Sequence, residues 1–398
     1  MCFNMKILYW LENFPDPCGG VHKIYDDVML LNELGYESYV LHDTPFRVSW
    51  FKHNVPVISL KYMDVSSEDI VVIPEYKSLV IEKFRKCKYK IFYVQSWYYV
   101  NEIPDDYDFI ITAGDYDAQW LYENRGIEVD GIIHNGIDFN LFYPSPENRV
   151  LNRVLYLHRK NGSDGDYIRL NLQGKMGLDF QCIDEISQEE LAEEYRMADI
   201  FIALGTNEGF QMPPIEAMAC GCIVVGYSGH GALQYMRHKE NCFIVEDLDK
   251  DGLIKAIITI VNDKSLKEKM RRNGYKTSKR YSLERQKDDL KNFYEKIIGA
   301  PEGISSIEPF IKKAGEKVVF ENYLLNQGDF IYYQASTIRN LNKNLAKAQK
   351  ELEKQVSEFH NSLGIQVLLK FRRIIGVFLP EGTRRRSIYN RLINFIKK

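Results

Sequence analysis

The chain has 398 residues, 45% hydrophobic and 27% charged, with a formal net charge of −3. That is an ordinary globular composition, long enough for two domains and an appendage. Nine Lys/Arg stand against one acid over Leu363–Lys398, so the rest of the chain is acidic, which excludes a general nucleic-acid binder and leaves one locally basic tail. The seven cysteines form no C-x-x-C or Cys/His zinc spacing, and their odd number fits a reducing compartment. No signal peptide and no long uninterrupted apolar run is evident, so the expectation is a cytoplasmic protein without a membrane span.

Lys6–Trp10 reads as a first strand, followed by the loop Asn13-Phe-Pro-Asp-Pro-Cys-Gly-Gly20 and an amphipathic helix over Val21–Leu34 that Gly35 stops. A glycine pair opening a helix lets a ligand approach the backbone closely, although tight turns use glycine too. Strands are expected at Ser38–His42, Asp69–Ile73, Lys90–Val94 and Asp108–Thr112, with helices over Tyr76–Cys87 and Asp115–Asn124. This alternation implies a parallel, doubly wound sheet. The loop Gln95-Ser-Trp-Tyr-Tyr99 leaves the carboxyl end of a strand, where such sheets bind ligands, so Gln95 and Trp97 are candidates for shaping an acceptor pocket. A simply packed aromatic loop is the other reading.

Pro144 and Pro146 mark a linker, and the domain boundary is placed near residues 136–150. A second alternation starts with the strand Arg153–Leu157 and runs into His158-Arg-Lys-Asn-Gly-Ser163. Arg159 and Lys160 beside an Asn-Gly turn have the charge to neutralise a diphosphate, or form a solvated basic turn. Asp179–Ile183 is a strand, and Ser187-Gln-Glu-Glu190 opens a helix with a capping box.

The richest stretch follows the apolar strand Ile200–Leu204 and reads T-N-E-G-F-Q-M-P-P-I-E-A-M-A-C-G-C-I-V-V from Thr206 to Val225. Prolines at 213 and 214 suit a first helical turn. Glu208 lies in the loop, and Glu216, with seven residues between them, is expected in the helix's first turn. Amides near Gly209, Phe210 and Gln211 are placed to take phosphate oxygens, while the carboxylates would accept from vicinal hydroxyls. A pair of solvated glutamates near a helix cap is the plain alternative. Gly226-Tyr-Ser-Gly-His-Gly231 turns into another helix start, but its G-x-x-G-x-G spacing and late position do not fit a dinucleotide fingerprint. Helices are expected over Asp249–Val261, Lys264–Arg280 and Leu283–Ile298.

Glu208-Gly209-Phe210, Pro213, Glu216-Ala217-Met218-Ala219 and Gly221 together resemble the E-x7-E signature of the retaining family 4 glycosyltransferases, E-G-F-x-x-P-x-x-E-A-M-A-x-G. Gly131–Asp138 is similar to that family's I-P-N-G-I-D element, with His134 in place of the proline, and Gly19-Gly20 to its N-terminal glycine loop. The resemblance covers about residues 5–298. It implies an α/β GT-B fold, two Rossmann-like domains with a cleft between them; the residue pattern beyond 300 adds a helical C-terminal extension. Residues 1–140 would be the acceptor domain and 141–300 the nucleotide-sugar donor domain, whose last helix crosses back.

The resemblance also assigns roles. Glu216 would hold the ribose, Glu208 the donor sugar hydroxyls, and Gly20 would face the donor phosphates. The Gly209, Phe210 and Gln211 amides, with Arg159 and Lys160, would take the pyrophosphate. No metal and no cofactor is implied. Relatives often carry a histidine where Gln95 stands and a glutamate where Gln234 stands. The Phe14-Pro15…Gly19-Gly20 loop, His158-Arg-Lys160 and Gly229-His-Gly231 resemble rhamnosyltransferase-like members.

The expected function is transfer of a hexose or deoxyhexose from a nucleotide diphosphate sugar to a glycan or lipid-linked glycan in surface polysaccharide assembly. A nucleotide-sugar epimerase of the same fold and a non-catalytic glycan-binding scaffold are the alternatives. The expected partners are the nucleotide sugar and that acceptor, with no nucleic acid. Within 301–398, a short heptad run in residues 331–359 points to self-association. Basic and apolar residues over 363–398 suit the inner face of a membrane, or a helical hairpin packed on protein.

Overall fold

A computed structural model describes residues 5–48, 50–51, 53–184 and 186–300. The heptad run and the basic amphipathic stretch, with the rest of 301–398, lie outside the described residues.

The first half alternates strand and helix: β1 (Ile7–Trp10), α1 (Gly19–Glu33), β2 (Ser38–His42), β3 (Val57–Ser59) and β4 (Ile70–Pro74). A 3-10 segment, Glu75–Phe84, leads to β5 (Tyr89–Val94), a one-turn 3-10 stretch at Trp97–Tyr99, β6 (Phe109–Thr112), α2 (Asp115–Arg125) and β7 (Gly131–Ile132). These strands form one sheet in the order β3-β2-β1-β4-β5-β6-β7, parallel throughout. The strands are apolar because helices cover both faces. Along β1, Ile7 and Tyr9 enter the core shared with α1, while Leu8 and Trp10 enter a separate core on the opposite face.

The second half contains β8 (Arg153–Leu157), α3 (Gly162–Leu172), β9 (Asp179–Ile183), α4 (Gln188–Met197), β10 (Ile200–Ala203), α5 (Met212–Ala219), β11 (Ile223–Tyr227) and β12 (Phe243–Val245). Three helices follow, α6 (Lys250–Asn262), α7 (Lys264–Ser278) and α8 (Leu283–Ile298). The sheet order is β12-β11-β10-β8-β9, again parallel. Strand order reverses between β1 and β4 in one sheet and between β8 and β10 in the other. Crevices at such reversals, outside the carboxyl ends of the strands, are where doubly wound sheets take ligands. The four loops concerned begin at Leu11, Glu75, His158 and Leu204. With these sheets, the α/β GT-B architecture is the fold observed.

α8 starts beside the second sheet and packs its apolar stripe into the first. Leu290, Phe293 and Tyr294 belong to the core built by β1 and α1. The crossing is pinned by polar contacts. Ile137 and Leu283 exchange backbone hydrogen bonds with the opposite crossing segment, Ile137 N–H donating to Tyr281 O at 2.9 Å. Gln286, fully buried, accepts from Gly136 N–H at 2.8 Å and donates to Asp27 Oδ1 at 2.8 Å. His134, where the resembling family keeps proline, places Nδ1 2.7 Å from Asp289 Oδ2, an ion pair proline could not form. Asp115 and Asp289 overcome the effect of burial and raise the His134 pKa above its ordinary value.

The capping box is present, with Glu190 N–H donating to Ser187 Oγ and Glu190 Oε2 accepting from Ser187 N–H at 2.8 Å. Three local expectations need correction. The segment expected as a helix over Tyr76–Cys87 is a 3-10 stretch from Glu75 to Phe84, broken at Lys77 (φ −132°, ψ 36°). Its first carboxylate is held by the β5 exit loop, and that contact outweighs helical propensity. β3 is three residues long and only partly buried, too short for a periodic signal. α3 was not expected because Gly162 and Gly165 open it; a Cβ at Gly165 would sit 2.2 Å from the Tyr156 ring, so packing requires the helix-weakening residue.

Gln286→Ala is expected to orphan the buried Gly136 amide and to leave Asp27 Oδ1 with Lys23 alone, lowering stability by about 1–3 kcal/mol in urea unfolding.

Candidate functional site

The loops at the two strand reversals enclose a cavity of about 630 Å³, within the range of small-molecule sites. Cys18, Gly19, Gly20, Glu75, Gln95 and Tyr99 come from the first domain, and Arg159, Lys160, Glu208, Gly209 and Gln211 are among those from the second. Of the ten site residues expected from the sequence, the cavity wall includes Gly20, Gln95, Arg159, Lys160, Glu208, Gly209, Phe210 and Gln211. Trp97 and Glu216 are not on that wall.

The Glu208 loop is seated on the glycine-rich turn after β11. Glu208 N–H donates to Gly229 O at 2.9 Å and Gly231 N–H to Glu208 O at 3.0 Å. A Cβ on Gly231 would lie 2.2 Å from Gly209 O. The G-x-x-G-x-G run is therefore a packing seat rather than a dinucleotide fingerprint. Among the described residues, no acceptor engages the backbone amides of Gly209, Phe210 or Gln211, at a helix start where an anion is favoured. Phe210 itself is mostly core, its ring tilted against Tyr235 and Tyr281 at 5.3 and 5.4 Å. Gln211 is buried and donates to Gly205 O at 2.9 Å, shaping the loop from within.

Lys160 forms an ion pair with Glu208 Oε1. Both side chains remain partly exposed, at 39% and 24%, so an incoming polyanion or polyol can compete for either group. Arg159 reaches across the cavity to donate to Pro17 O at 3.3 Å.

Glu216 is the fifth residue of α5, in its second turn, because the helix begins at Met212. That correction places its carboxylate a turn beyond the cavity-lining Pro213, buried and with no hydrogen-bond partner among the described residues. Burial pushes its pKa up to about 7, opposed by His22 and Arg159. His22, on α1 of the first domain, is itself raised: burial opposes protonation, but Asp26, 3.0 Å from Nδ1, and Glu216 overcome it.

Trp97 stands between the domains instead of in the cavity. Its indole N–H donates to Glu208 O at 3.3 Å, and its ring meets His230 edge-on at 5.7 Å. Gln234 makes a second crossing, accepting from Asp115 N–H at 3.2 Å and donating to Gly209 O at 3.3 Å and Gly231 O at 2.7 Å. The amide suits this bridge, since a carboxylate at the same position would face two carbonyl oxygens.

Two buried acids escaped the sequence reading. Glu75, directly after β4, accepts from Gln95 N–H at 3.2 Å and Ser96 N–H at 3.0 Å, and burial pushes its pKa up to about 8. Asp117 accepts from Trp97 N–H at 2.8 Å and is pushed up to about 7 by burial. Together they hold the Gln95–Tyr99 loop. Glu75 had a legible signal, a carboxylate directly after an apolar strand in I-V-V-I-P-E; Asp117 lay unremarkably in a helix's first turn.

Gly209→Ala would put a Cβ 2.3 Å from Gln95 O and 2.7 Å from Ser96 Cα, both backbone atoms unable to rotate away. It is expected to force the domains apart, costing about 1–3 kcal/mol in urea unfolding and enlarging the particle in small-angle scattering. The second expectation concerns pH. The Glu216 pKa, about 7, lies above its ordinary 4.5, so between those values the folded state binds the extra proton. Stability from this group is present below about 4.5 and lost as pH rises through about 7. Glu216→Gln should make the Tm-versus-pH curve flatter over that window.

Comparison with known proteins bears on this site. Residues 170–277 match the family described as glycosyl transferases group 1. An alpha-1,6-glucosyltransferase of Actinobacillus pleuropneumoniae serotype 7 is 27% identical over 235 residues, covering 54% of this chain and 70% of that protein. Among solved structures, a sucrose-phosphate synthase from Thermosynechococcus elongatus superposes with a TM-score of 0.60 at 14% identity, over 74% of this chain and all of the other (100%). Anabaena Alr3699/HepE in complex with UDP-glucose superposes with a TM-score of 0.58 at 16% identity, over 74% and 100% of the two chains. The chain has the GT-B fold of glycosyltransferases, and its second domain is similar to the glycosyl transferases of group 1.

Proposed function

We propose that this protein is a retaining, metal-independent glycosyltransferase that moves a hexose or deoxyhexose from a nucleotide diphosphate sugar to a glycan or lipid-linked glycan in surface polysaccharide assembly. The observation that carries the reading is the convergence of Arg159, Lys160, Glu208 and the unengaged Gly209–Gln211 amides on one interdomain cavity. Two cations and a helix start are the chemistry a departing diphosphate needs, and Glu208 is placed to accept from sugar hydroxyls.

In this reading the donor lies mainly on the second domain, residues 141–300, and the acceptor on the first, residues 1–140. As the anomeric C–O bond breaks, negative charge grows on the β-phosphate, and Arg159, Lys160 and the loop amides stabilise it. The acceptor hydroxyl attacks the anomeric carbon from the face the diphosphate leaves, and its proton passes to the departing phosphate oxygen. No enzymic nucleophile is required, and no side chain is assigned as base. Glu216 would take the ribose hydroxyls from its position beside His22 and Arg159. The loop and motif resemblances favour a rhamnosyltransferase-like donor choice. A cytoplasmic site, with 363–398 at the inner membrane face and 331–359 in self-association, fits the composition of those segments.

A thermal-shift panel of UDP, GDP, dTDP and CDP on the wild type and Glu216→Ala tests the reading. One diphosphate at 100 times its Kd should add about 2.7 kcal/mol to the wild type and much less to the variant. Stabilisation by none of them would overturn the donor site. With the donor known, Lys160→Ala should lower kcat on the order of 10²-fold with a smaller change in donor KM. An epimerised sugar nucleotide formed without acceptor would replace the transferase reading by epimerisation.

A further inference from the structure

We infer that the first-domain half of the cavity is a subsite for an uncharged sugar ring of the acceptor, and not for a phosphate-bearing head group. This rests on the transferase reading above. The wall here has two characters. Phe14, Tyr76, Tyr98 and Tyr99, from three separate loops, supply an aromatic surface. Phe14 and Tyr76 meet edge-on at 5.6 Å, as do Tyr98 and Tyr99 at 5.3 Å, and the latter two are each 53% exposed. Exposed tyrosines grouped at a cavity hold apolar area next to polar tips. That matches a pyranose, whose axial C–H bonds present an apolar face and whose rim carries hydroxyls.

The polar part of this wall is rich in acceptors. Gln95 spends its amide N–H on Gly20 O at 3.1 Å, and Asn135 spends its own on Ala113 O at 3.2 Å. The carbonyl oxygens of both side chains accept from no donor among the described residues. Sugar hydroxyls can donate to such oxygens, whereas a phosphate ester dianion brings only acceptors. Cations complete the distinction. Among the described residues, Lys23 is the one cation of the first-domain lining, and it is buried and closed in a 2.5 Å pair with Asp27. Asp27 is held in turn by Tyr93 and Gln286, so that pair belongs to the interior network. Arg159 and Lys160 approach from the second domain and are occupied by the donor in the reading above.

The test is saturation-transfer NMR on the full chain with its preferred nucleoside diphosphate bound. Neutral probes are the methyl glycosides of glucose, galactose, mannose and rhamnose, and the charged probe is citronellyl phosphate. The expected result is transfer to ring C–H protons of at least one glycoside. Tyr99→Ala should weaken that contact roughly tenfold, with Tyr99→Phe restoring it, while the nucleotide thermal shift is kept in both. An unchanged glycoside contact in Tyr99→Ala and Tyr98→Ala would overturn the subsite. So would contact by citronellyl phosphate alone, or no glycoside contact in a wild type that still binds nucleotide. A wild type that binds no nucleoside diphosphate removes the transferase reading itself, and the subsite with it.

Discussion

At Gly209 the backbone of the second domain comes against the backbone of the first. An added Cβ there would fall 2.3 Å from the Gln95 carbonyl, so nothing larger than hydrogen fits between the two backbone segments. The cavity depends on that approach. It brings the Glu208 loop, with its ion-paired Lys160 and unengaged amides, to the same space as the glycine loop and the aromatic 95–99 turn. Trp97 reinforces the contact by donating to the Glu208 carbonyl, and Gln234, which donates to Gly209 O, crosses to the first domain by accepting from Asp115 N–H. The Glu208 loop is thus both part of the cavity wall and, through its backbone, part of the contact between the domains.

Buried carboxylates hold the supporting structure. Glu75 and Asp117 each accept from backbone amides of the 95–99 loop, and burial raises both pKa values. Such groups are costly to bury charged and are kept by the hydrogen bonds they accept. Here they fix the orientation of a loop that lies on the surface and would otherwise be free to move. Glu216 differs in having no such donors. Its carboxylate is shielded, near the His22 imidazole and the Arg159 guanidinium.

The crossing helix α8 sets where the domains sit. Its apolar stripe completes the core of the first sheet, while Gln286 and Asp289 tie the linker to it through Gly136 and His134. A helix belonging in sequence to one domain and in packing to the other ties the two together at the double crossing of Ile137 and Leu283.

Much of this was legible in the chain. Continuous apolar runs at Ile7–Trp10, Ile70–Ile73 and Ile200–Ala203 announce buried parallel strands, because a strand covered on both faces needs no polar alternation. The Ser187–Glu190 capping box is local chemistry and formed as written. Fixed spacing also identifies the Glu208–Glu216 stretch as the centre of interest, since loop and helix start are adjacent in sequence. Other features depended on partners distant in the chain. Trp97 reads as a pocket aromatic until the Glu208 carbonyl, 111 positions away, takes its N–H. The late glycine run reads as a ligand loop until Gly209 is packed against it. Asp117 looks like a surface acid, and only burial under the 95–99 loop gives it its role. Sequence alone determined most of the elements and pointed to the 206–225 stretch, because those follow from spacing along one chain. Tertiary structure alone decided which side chains face the cavity and which lock it, because burial and hydrogen-bond satisfaction are settled between segments that meet only once both sheets have formed.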